Sequence, residues 1–333
     1  MGRALRAPTL DEVREARARI ADAALRTPLV RFEGDREGAS GGPGGPEIFL
    51  KLENLQPIGS FKLRGALNRI RSIPTDTLAD GVYTASAGNM AQGVAWAARE
   101  LGVPASVVVP DTAPRAKLDA IARLGATIVA VPYDEWWSTM RNHGRPGMRG
   151  VFVHPFADQE VMAGNGTIAL EIHEELGDVD AILVPWGGGG LTCGIASAAR
   201  ALVPSVRVYA CEVEGSAPLS ASLAAGRPVT IENRRTFIDG IGGRGVFEEI
   251  WPLARALVSG TLTVTVPQVA EAVALLARYA RVIAEGAGAA SLAAAHKSAA
   301  SSIPHMKRLV CIVSGGNIDT NVLTTILSGS IPD

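Results

Sequence analysis

The hydrophobic pattern alternates between short, nearly continuous apolar runs and longer segments in which apolar residues recur every three or four positions. Short apolar runs are typical of buried strands, and the longer spacing is typical of amphipathic helices. The predicted strands lie at 29–32, 48–52, 82–85, 105–109, 127–131, 151–153, 181–184, 206–211 and 309–313. The predicted helices lie at 10–25, 61–71, 89–101, 114–124, 159–176, 191–202, 267–284 and 288–296, and Thr9 is the expected cap of the first.

The regular succession of strand and helix predicts an α/β fold with two doubly wound domains and mainly parallel sheets. A polar, glycine-rich stretch at 142–149 marks the expected junction between two series of elements. The glycines and prolines of 38–46 predict a surface loop. In open α/β sheets, ligands bind beyond the carboxyl ends of the strands, and chemistry is therefore expected there.

Composition narrows the classes of partner. The 333 residues carry 32 basic and 33 acidic side chains, without a basic run, and we expect no nucleic-acid partner. No apolar stretch reaches the roughly 20 residues of a membrane helix, and the N-terminal segment lacks a secretory signal. We expect a cytoplasmic protein without membrane contact. Cys193, Cys211 and Cys311 are odd in number and widely spaced, which indicates reduced, buried thiols.

The glycine run Gly187–Gly190 leaves a predicted strand and enters a predicted helix. Residues without Cβ let backbone N–H groups converge on an anion at a helix N-terminus, where the helix dipole also favours negative charge. A phosphate fits this site, and a plain tight turn is the alternative interpretation. Neither the dinucleotide fingerprint nor a nucleotide P-loop is present.

Lys62 lies between Phe61 and Leu63 near the start of a predicted helix, an unusual place for a solvated cation. A desolvated lysine has a depressed pKa and is nucleophilic as the neutral amine. A surface lysine whose stem packs on apolar residues is the structural alternative. The neighbouring motifs decide between these two interpretations.

Five segments in order resemble the threonine/serine dehydratases, a group of pyridoxal-phosphate enzymes that includes serine racemase and the tryptophan synthase β chain. The segments are Lys51 to Gln56 leading to Ser60 to Ala66, Ser86 to Asn89 with Ala91 to Ala95, Gly187 to Leu191, Glu285 to Gly288, and Ser314 to Asn317. The resemblance runs from about Thr27 to Asn317. It implies a large cofactor-binding domain at 1–52 and 153–333 and a small substrate-side domain at 53–152, with the cofactor in the cleft between them.

The resemblance also implies roles for individual residues. Lys62 would hold pyridoxal 5'-phosphate as a Schiff base and later move the Cα proton. The other cofactor contacts would be Phe61 on one ring face, Asn89 at the phenolic oxygen, Gly187, Gly188, Gly189 and Gly190 at the phosphate, Ser314 at the pyridine nitrogen, and Glu285 near the ring. The substrate carboxylate would meet the segment Ser86, Ala87, Gly88, Asn89 and Met90.

The reaction implied is loss of the β-hydroxyl from a 2-amino-3-hydroxy acid, giving a 2-oxo acid and ammonia. The substrate would be L-threonine, L-serine or a bulkier analogue such as phenylserine. A neutral serine at the pyridine nitrogen favours this elimination over transamination, because a hydroxyl does not stabilise a protonated pyridine. Racemisation, β-replacement and a catalytically silent amino-acid-binding protein are the alternatives, and the resemblance also allows a homodimer.

Several positions depart from the family pattern. Met90 stands where relatives usually have His, and Ala87 stands where serine racemase carries a serine that protonates the opposite face. Glu212 matches one carboxylate of the relatives' metal site, but Pro218 occupies the place of an expected Asp, so we expect no metal. Because the sequence continues no further than Asp333, where biosynthetic relatives have a regulatory domain, we expect no feedback by isoleucine.

Some side chains have two interpretations or a structural one. Tyr133, Trp136 and Trp137 form either a surface-loop packing cluster or a wall of the substrate pocket. Arg64 is interpreted as structural, with an ion pair across its helix. The histidines show no metal-ligand spacing and are interpreted as structural or solvated: His143, His154, His173, His296 and His305.

Overall fold

The computed structural model describes residues 5–34, 46–296 and 306–332. His305 and the predicted loop at 38–46, except its last residue, lie outside them. The strands are β1 Leu29–Arg31, β2 Glu47–Lys51, β3 Val82–Ala85, β4 Ala105–Pro110, β5 Thr127–Val131, β6 Val151–Phe152, β7 Ala181–Pro185, β8 Arg207–Val213, β9 Gly260–Val264 and β10 Arg308–Ile312. The helices are α1 Leu10–Ile20, α2 Lys62–Arg71, α3 Asn89–Glu100, α4 Arg115–Arg123, α5 Tyr133–Arg141, α6 Gln159–Leu176, α7 Gly190–Leu202, α8 Pro218–Ala225, α9 Trp251–Leu257, α10 Val266–Leu275, α11 Gly286–His296 and α12 Thr320–Leu327.

The strands form two sheets, in the order β1-β2-β10-β7-β8-β9 and β5-β4-β3-β6. Only the pair β1 and β2 is antiparallel among the strand pairs of the described residues. The predicted α/β fold with mainly parallel sheets is therefore confirmed. The smaller sheet takes its strands from residues 82–152 and the larger from the rest of the chain. The exact domain limits stay a prediction.

Helices cover both faces of the larger sheet. Along β10, Val310 and Ile312 face a cluster with α1, α6 and α7, whereas Leu309 and Cys311 face α10 and α11. The helices α6 and α7 pack closely because a Cβ at Gly194 would lie only 2.2 Å from the Met162 carbonyl oxygen. Strands apolar on both faces are the expected consequence of this arrangement.

The structure corrects several predicted elements. The first helix ends at Ile20 rather than at residue 25, although Thr9 caps it as predicted, in a capping box with Glu12. The segment from Tyr133 is a helix, not a loop. The predicted helix 267–284 ends earlier, in a π-helical turn at Leu276–Ala280 followed by Arg281 at a φ of 60°. The elements α8, α9, α12 and β9 were not predicted.

Candidate active site

The glycine run joins the end of β7 to the start of α7, as predicted. Gly189 has a φ of 92°, a conformation that side chains rarely adopt. A Cβ at Gly190 would lie 2.5 Å from the Phe156 carbonyl oxygen, and one at Gly188 would lie 2.2 Å from the Phe156 ring. Larger residues are therefore excluded, and no side chain caps the N-H groups that begin α7. Such a bare helix N-terminus suits an anion.

Lys62 is the first residue of α2 and is half-buried. Its Nζ donates a hydrogen bond to the Pro155 carbonyl oxygen at 2.6 Å and lies 5.2 Å from the centre of the Phe61 ring. Burial lowers the pKa of Lys62 to about 8, although the Glu285 carboxylate acts in the opposite direction. About a tenth of this amine is therefore neutral at pH 7, and the neutral amine is the state that a nucleophile requires.

Ser314 follows β10 and lies against the segment that carries Lys62. The Phe61 N–H donates to the Ser314 carbonyl oxygen at 3.0 Å, and Ser60 forms an antiparallel bridge with Gly315. Ser314 is buried. Two motifs that are far apart in the sequence are thus joined by backbone hydrogen bonds, and this contact fixes where α2 begins.

Asn89 begins α3 and contacts both of the remaining motifs. Its Nδ2 donates to Glu285 Oε1 at 2.8 Å, and its Oδ1 accepts a hydrogen bond from Asn317 Nδ2 at 2.8 Å. A Cβ at Gly315 would lie 2.4 Å from Glu285 Oε1, so this carboxylate requires a glycine beside it. The structure therefore brings together Lys62, Asn89, Glu285 and the loop after Ser314.

Glu285 is a buried carboxylate with a raised pKa, although a lysine lies in the same site. Its pKa is raised to about 7, chiefly by burial and then by the Asp239 carboxylate, while the hydrogen bond from Asn89 opposes the rise. Asp239 forms an ion pair with Lys117. Glu285 is thus partly protonated near neutral pH and does not hold Lys62 in an ion pair.

The segment from Ser86 to Met90 comprises the turn after β3 and the first two residues of α3. Ser86 Oγ accepts a hydrogen bond from the Gly88 N–H at 3.2 Å, and Gly88 precedes α3 without a side-chain cap. Ala87 is half-buried at this turn. Met90, in contrast, is 1% exposed and packs in the core beneath α3. Its contact with the substrate, like that of the whole segment, stays a prediction.

The aromatic residues predicted at 133–137 lie on α5 and lead toward the glycine run. Trp137 packs edge-on against Phe247 at 5.6 Å, and Phe247 packs against Phe156 at 4.8 Å. Tyr133 and Trp136 extend this stack at the outer end. Sequence reasoning missed Phe156 and Phe247, because no local pattern shows that they meet.

The carboxylate of Glu212 accepts hydrogen bonds from residues at the start of α8. One of its carboxylate oxygens accepts the Leu219 N–H at 2.7 Å, and the other accepts the Ser220 N–H at 2.8 Å and the Ser220 hydroxyl at 2.7 Å. The carboxylate therefore caps the first turn of α8, where Pro218 is the first residue. A proline in place of a second carboxylate also removes one ligand of the kind that a hard cation prefers.

Arg64 belongs to a buried network of four charged side chains, which we call the buried quartet: Lys51, Glu53, Arg64 and Glu171. Arg64 binds each glutamate through two hydrogen bonds, between 2.6 and 2.9 Å. Burial alone would raise the pKa of Glu53, but Arg64 outweighs it and lowers that pKa. The structural interpretation of Arg64 is confirmed, although its partners lie outside its own helix.

Comparison with known proteins agrees with this geometry. The family of pyridoxal-phosphate dependent enzymes matches residues 20–315. An L-threonine ammonia-lyase of Thermotoga maritima is 38% identical over 96% of this chain and 78% of its own length. A serine racemase of Oryza sativa subsp. indica is 35% identical over 95% of this chain and 93% of its own. The solved structure of maize serine racemase superposes with a TM-score of 0.87 at 31% identity, covering 97% of this chain and 98% of that one.

Proposed function

We propose that this chain, which belongs to the family of pyridoxal-phosphate-dependent enzymes, is an ammonia-lyase of 2-amino-3-hydroxy acids. The observation that carries the proposal is the half-buried Lys62 amine, with its lowered pKa, beside the motifs of Asn89, Glu285 and Ser314. The similarity to an L-threonine ammonia-lyase over nearly the whole chain supports the same activity. L-Threonine, L-serine and a bulkier analogue such as phenylserine are the proposed substrates.

The residues present fit pyridoxal 5'-phosphate. The glycine run, in which a Cβ would collide with Phe156, offers bare N–H groups to the phosphate. Lys62 would bind the aldehyde, Phe61 would cover one face of the ring, and Ser314 would meet the pyridine nitrogen. Asn89 would donate to the phenolic oxygen, with Glu285 close to the ring. When bound, the cofactor supplies the electron withdrawal that weakens the bonds at the substrate Cα.

Ser314 and Lys62 would then determine which of the possible reactions such an enzyme catalyses. The Ser314 hydroxyl is neutral and does not stabilise a positive pyridine nitrogen, which disfavours a long-lived carbanion and favours loss of a β-leaving group. With a pKa of about 8, the Lys62 amine can accept the Cα proton near neutral pH. The substrate loses its β-hydroxyl as water, and a later hydrolysis consumes one water, so that the net products are a 2-oxo acid and ammonia.

The turn from Ser86 to Asn89 is the proposed site of the substrate carboxylate. This segment leads into α3, which begins at Asn89 and whose first N–H groups lack a side-chain cap and suit a negative charge. Ala87 has no hydroxyl that could protonate Cα from the opposite face, which argues against efficient racemisation. The serine racemase relatives nevertheless keep racemisation as the second candidate function.

The test is a product analysis of the full-length protein loaded with pyridoxal phosphate. We expect ammonia and a 2-oxo acid from at least one of L-threonine, L-serine and L-phenylserine. Lys62→Ala should lower the rate by roughly 10²–10⁴-fold, the usual contribution of a proton-transferring group, whereas Lys307→Ala, at an exposed lysine, should retain most activity. Borohydride reduction followed by peptide mass spectrometry should locate the cofactor on Lys62.

The other candidate functions give different products. Chiral chromatography of the remaining amino acid would reveal racemisation, and an added thiol would be incorporated by a β-replacement enzyme. A protein that binds the cofactor and the amino acid but releases no ammonia from any of the three substrates would be a silent binding protein. Any of these results as the main outcome would contradict the proposal.

Partners and location are proposed from the sequence alone. The net charge of -1 and the absence of a basic run support a protein without a nucleic-acid partner. Among the described residues, no helix has the length and apolar character needed to cross a bilayer. A cytoplasmic location and a homodimer complete the proposal, and size-exclusion chromatography with light scattering tests the second of these.

A further inference from the structure

The turn between β6 and α6 places a backbone carbonyl against the Lys62 amine. Residues 154–157 follow β6 and lead into α6, which is capped by the Asp158 side chain. The Pro155 carbonyl oxygen accepts the hydrogen bond from Lys62 Nζ at 2.6 Å. Within the described ranges, no carboxylate forms an ion pair with Nζ. The position of this carbonyl therefore determines where the amine lies.

His154 fixes the shape of this turn through its ring. Its Nδ1 accepts hydrogen bonds from the Ala157 N–H at 2.8 Å and from the Phe156 N–H at 3.2 Å. An atom that accepts two N–H groups carries no hydrogen itself, so the ring proton lies on Nε2. In a doubly protonated ring, the Nδ1–H group would face the N–H groups of Phe156 and Ala157, and both hydrogen bonds would be lost. The turn thus requires a neutral imidazole.

The surroundings of His154 keep its ring neutral. The side chain is 1% exposed and packs against Phe156 at 4.6 Å and Phe247 at 5.9 Å between ring centres. Burial lowers the pKa of His154 well below its ordinary value, and the neighbouring His143 and Lys62 lower it further.

His143 packs against His154 on its solvent side and is the ring of the pair that is protonated more easily. The two rings are 4.5 Å apart, and His143 Nε2 is 2.8 Å from Glu249 Oε1. The hydrogen bond to Glu249 raises the pKa of His143, and the Asp158 carboxylate adds to the rise. When the pH falls, the outer ring of the pair therefore becomes charged before the inner one.

A metal site is the competing interpretation of the same side chains. His143, His154 and Glu249 offer ligand atoms within 4.8 Å of one another. A metal ligand at His154 would have to be Nε2, since Nδ1 is occupied by two backbone N–H groups. Ligation by Nε2 of a neutral ring would require the hydrogen on Nδ1, which the turn excludes. The observations therefore favour a structural task for the ring over metal binding.

We propose that His154 is a positioning residue for Lys62, because its Nδ1 holds the 154–157 turn in the conformation that presents the Pro155 carbonyl to the lysine amine. This inference rests on the proposed function of Lys62. It predicts that an acceptor at the Nδ1 position is required to hold the Lys62 amine in place. A side chain of similar size and polarity without this acceptor should not be sufficient.

Two substitutions in the full-length protein separate these requirements. His154→Asn keeps an acceptor oxygen where Nδ1 lies, whereas His154→Gln moves the amide out to the place of Nε2. The first measurement needs no turnover: Lys62 of the cofactor-free protein is acetylated with limiting acetic anhydride at about pH 8, and its modification rate is quantified by peptide mass spectrometry. The second measurement is kcat and KM of the cofactor-loaded protein. His173→Gln, a histidine substitution in the last turn of α6, is the matched control.

We expect His154→Asn and His173→Gln to acetylate at Lys62 like the wild type and to keep kcat within about threefold. In His154→Gln the amine loses its fixed acceptor, and the acetylation rate should rise at least about threefold while kcat falls roughly tenfold at a similar KM. Equal acetylation of Lys62 in His154→Gln and the wild type would overturn the proposal, as would equal effects of the Asn and Gln substitutions.

A measurement on the wild type alone keeps the proposal testable if a variant does not fold. Nuclear magnetic resonance of protein with ¹⁵N-labelled histidine should show His154 as the neutral tautomer with hydrogen on Nε2 from about pH 6 to 9. A hydrogen on Nδ1, or a charged ring in this range, would refute the proposal. Neither this measurement nor the acetylation depends on turnover, so failure of the proposed lyase activity would be recognised separately.

Discussion

The buried quartet offers a quantitative test of the structure. Lys51 and Arg64 carry two positive charges, and Glu53 and Glu171 carry two negative charges, so the group is neutral inside the protein. Lys51→Met leaves one net negative charge, and Glu171→Gln leaves one net positive charge. Each substitution breaks a buried pair and should cost about 3–5 kcal/mol of the free energy of unfolding.

The double substitution restores neutrality, because Arg64 and Glu53 remain as a pair with two hydrogen bonds. We therefore expect the double variant to lose less than the sum of the single losses, by about 2 kcal/mol or more. Strict additivity would show that charge balance does not govern the stability of this network and would refute the reasoning.

The assay is urea unfolding of the full-length protein, followed by tryptophan fluorescence and by circular dichroism. The two signals must give coincident transitions before free energies are compared. An exposed pair provides the matched control: Arg115 and Asp119 lie four residues apart on α4, with their charged atoms 3.0 Å apart. The corresponding cycle of Arg115→Met and Asp119→Asn should give a coupling below about 0.5 kcal/mol.

Three further predictions concern single residues. Glu285 has a pKa raised from 4.5 to about 7 in the folded protein, so its contribution to stability is present below pH 4.5 and is lost as the pH rises through 7. In the cofactor-free protein, Glu285→Gln should match the wild type near pH 4.5 and be more stable by about 2–3 kcal/mol above pH 7, measured by urea unfolding, and a difference independent of pH would contradict this cause. Gly190→Ala would place a Cβ 2.5 Å from the Phe156 carbonyl oxygen. Titration with pyridoxal phosphate should therefore show an affinity at least about tenfold weaker. An unchanged affinity would argue against the glycine run as the phosphate site. Because Glu212 caps α8, Glu212→Ala should cost about 1–2 kcal/mol, and neither EDTA nor magnesium should change the thermal midpoint of the wild type; a cation-dependent midpoint would instead indicate a metal site.

The elements predicted correctly from the sequence are those with unambiguous periodicity. The strands β3 and β5 and the helix α6 have the predicted limits, because continuous apolar runs and a capped amphipathic segment each permit one interpretation. The strand β9 is an edge strand with the sequence GTLTV, whose alternation of threonine with leucine and valine is a strand signal that the sequence analysis missed. The helix α5 begins with aromatic residues that are equally common in loops and pockets, and its periodicity extends over only nine residues.

The motifs of the site were recognisable, but their mutual contacts were not. The glycine run and the Ser86 to Asn89 turn each follow a strand, which made their location at the carboxyl edge predictable. The contact between Lys62 and Pro155, in contrast, joins residues 93 positions apart. No local pattern marks His154 as the residue that shapes this turn, since a lone histidine is usually structural or solvated.

The buried lysines show why the chemistry required a structure. Lys51 and Lys62 belong to the same sequence motif, and the sequence does not show which partner each amine meets. In the structure Lys51 is fully buried and pairs with Glu171 at 2.6 Å, which balances its charge and removes it from reaction. Lys62 receives only a neutral carbonyl oxygen at the same distance, so burial lowers its pKa, as the proposed nucleophilic role of this amine requires. The difference between a structural and a reactive lysine therefore depends on which partner the fold supplies, a carboxylate from α6 or the carbonyl of Pro155.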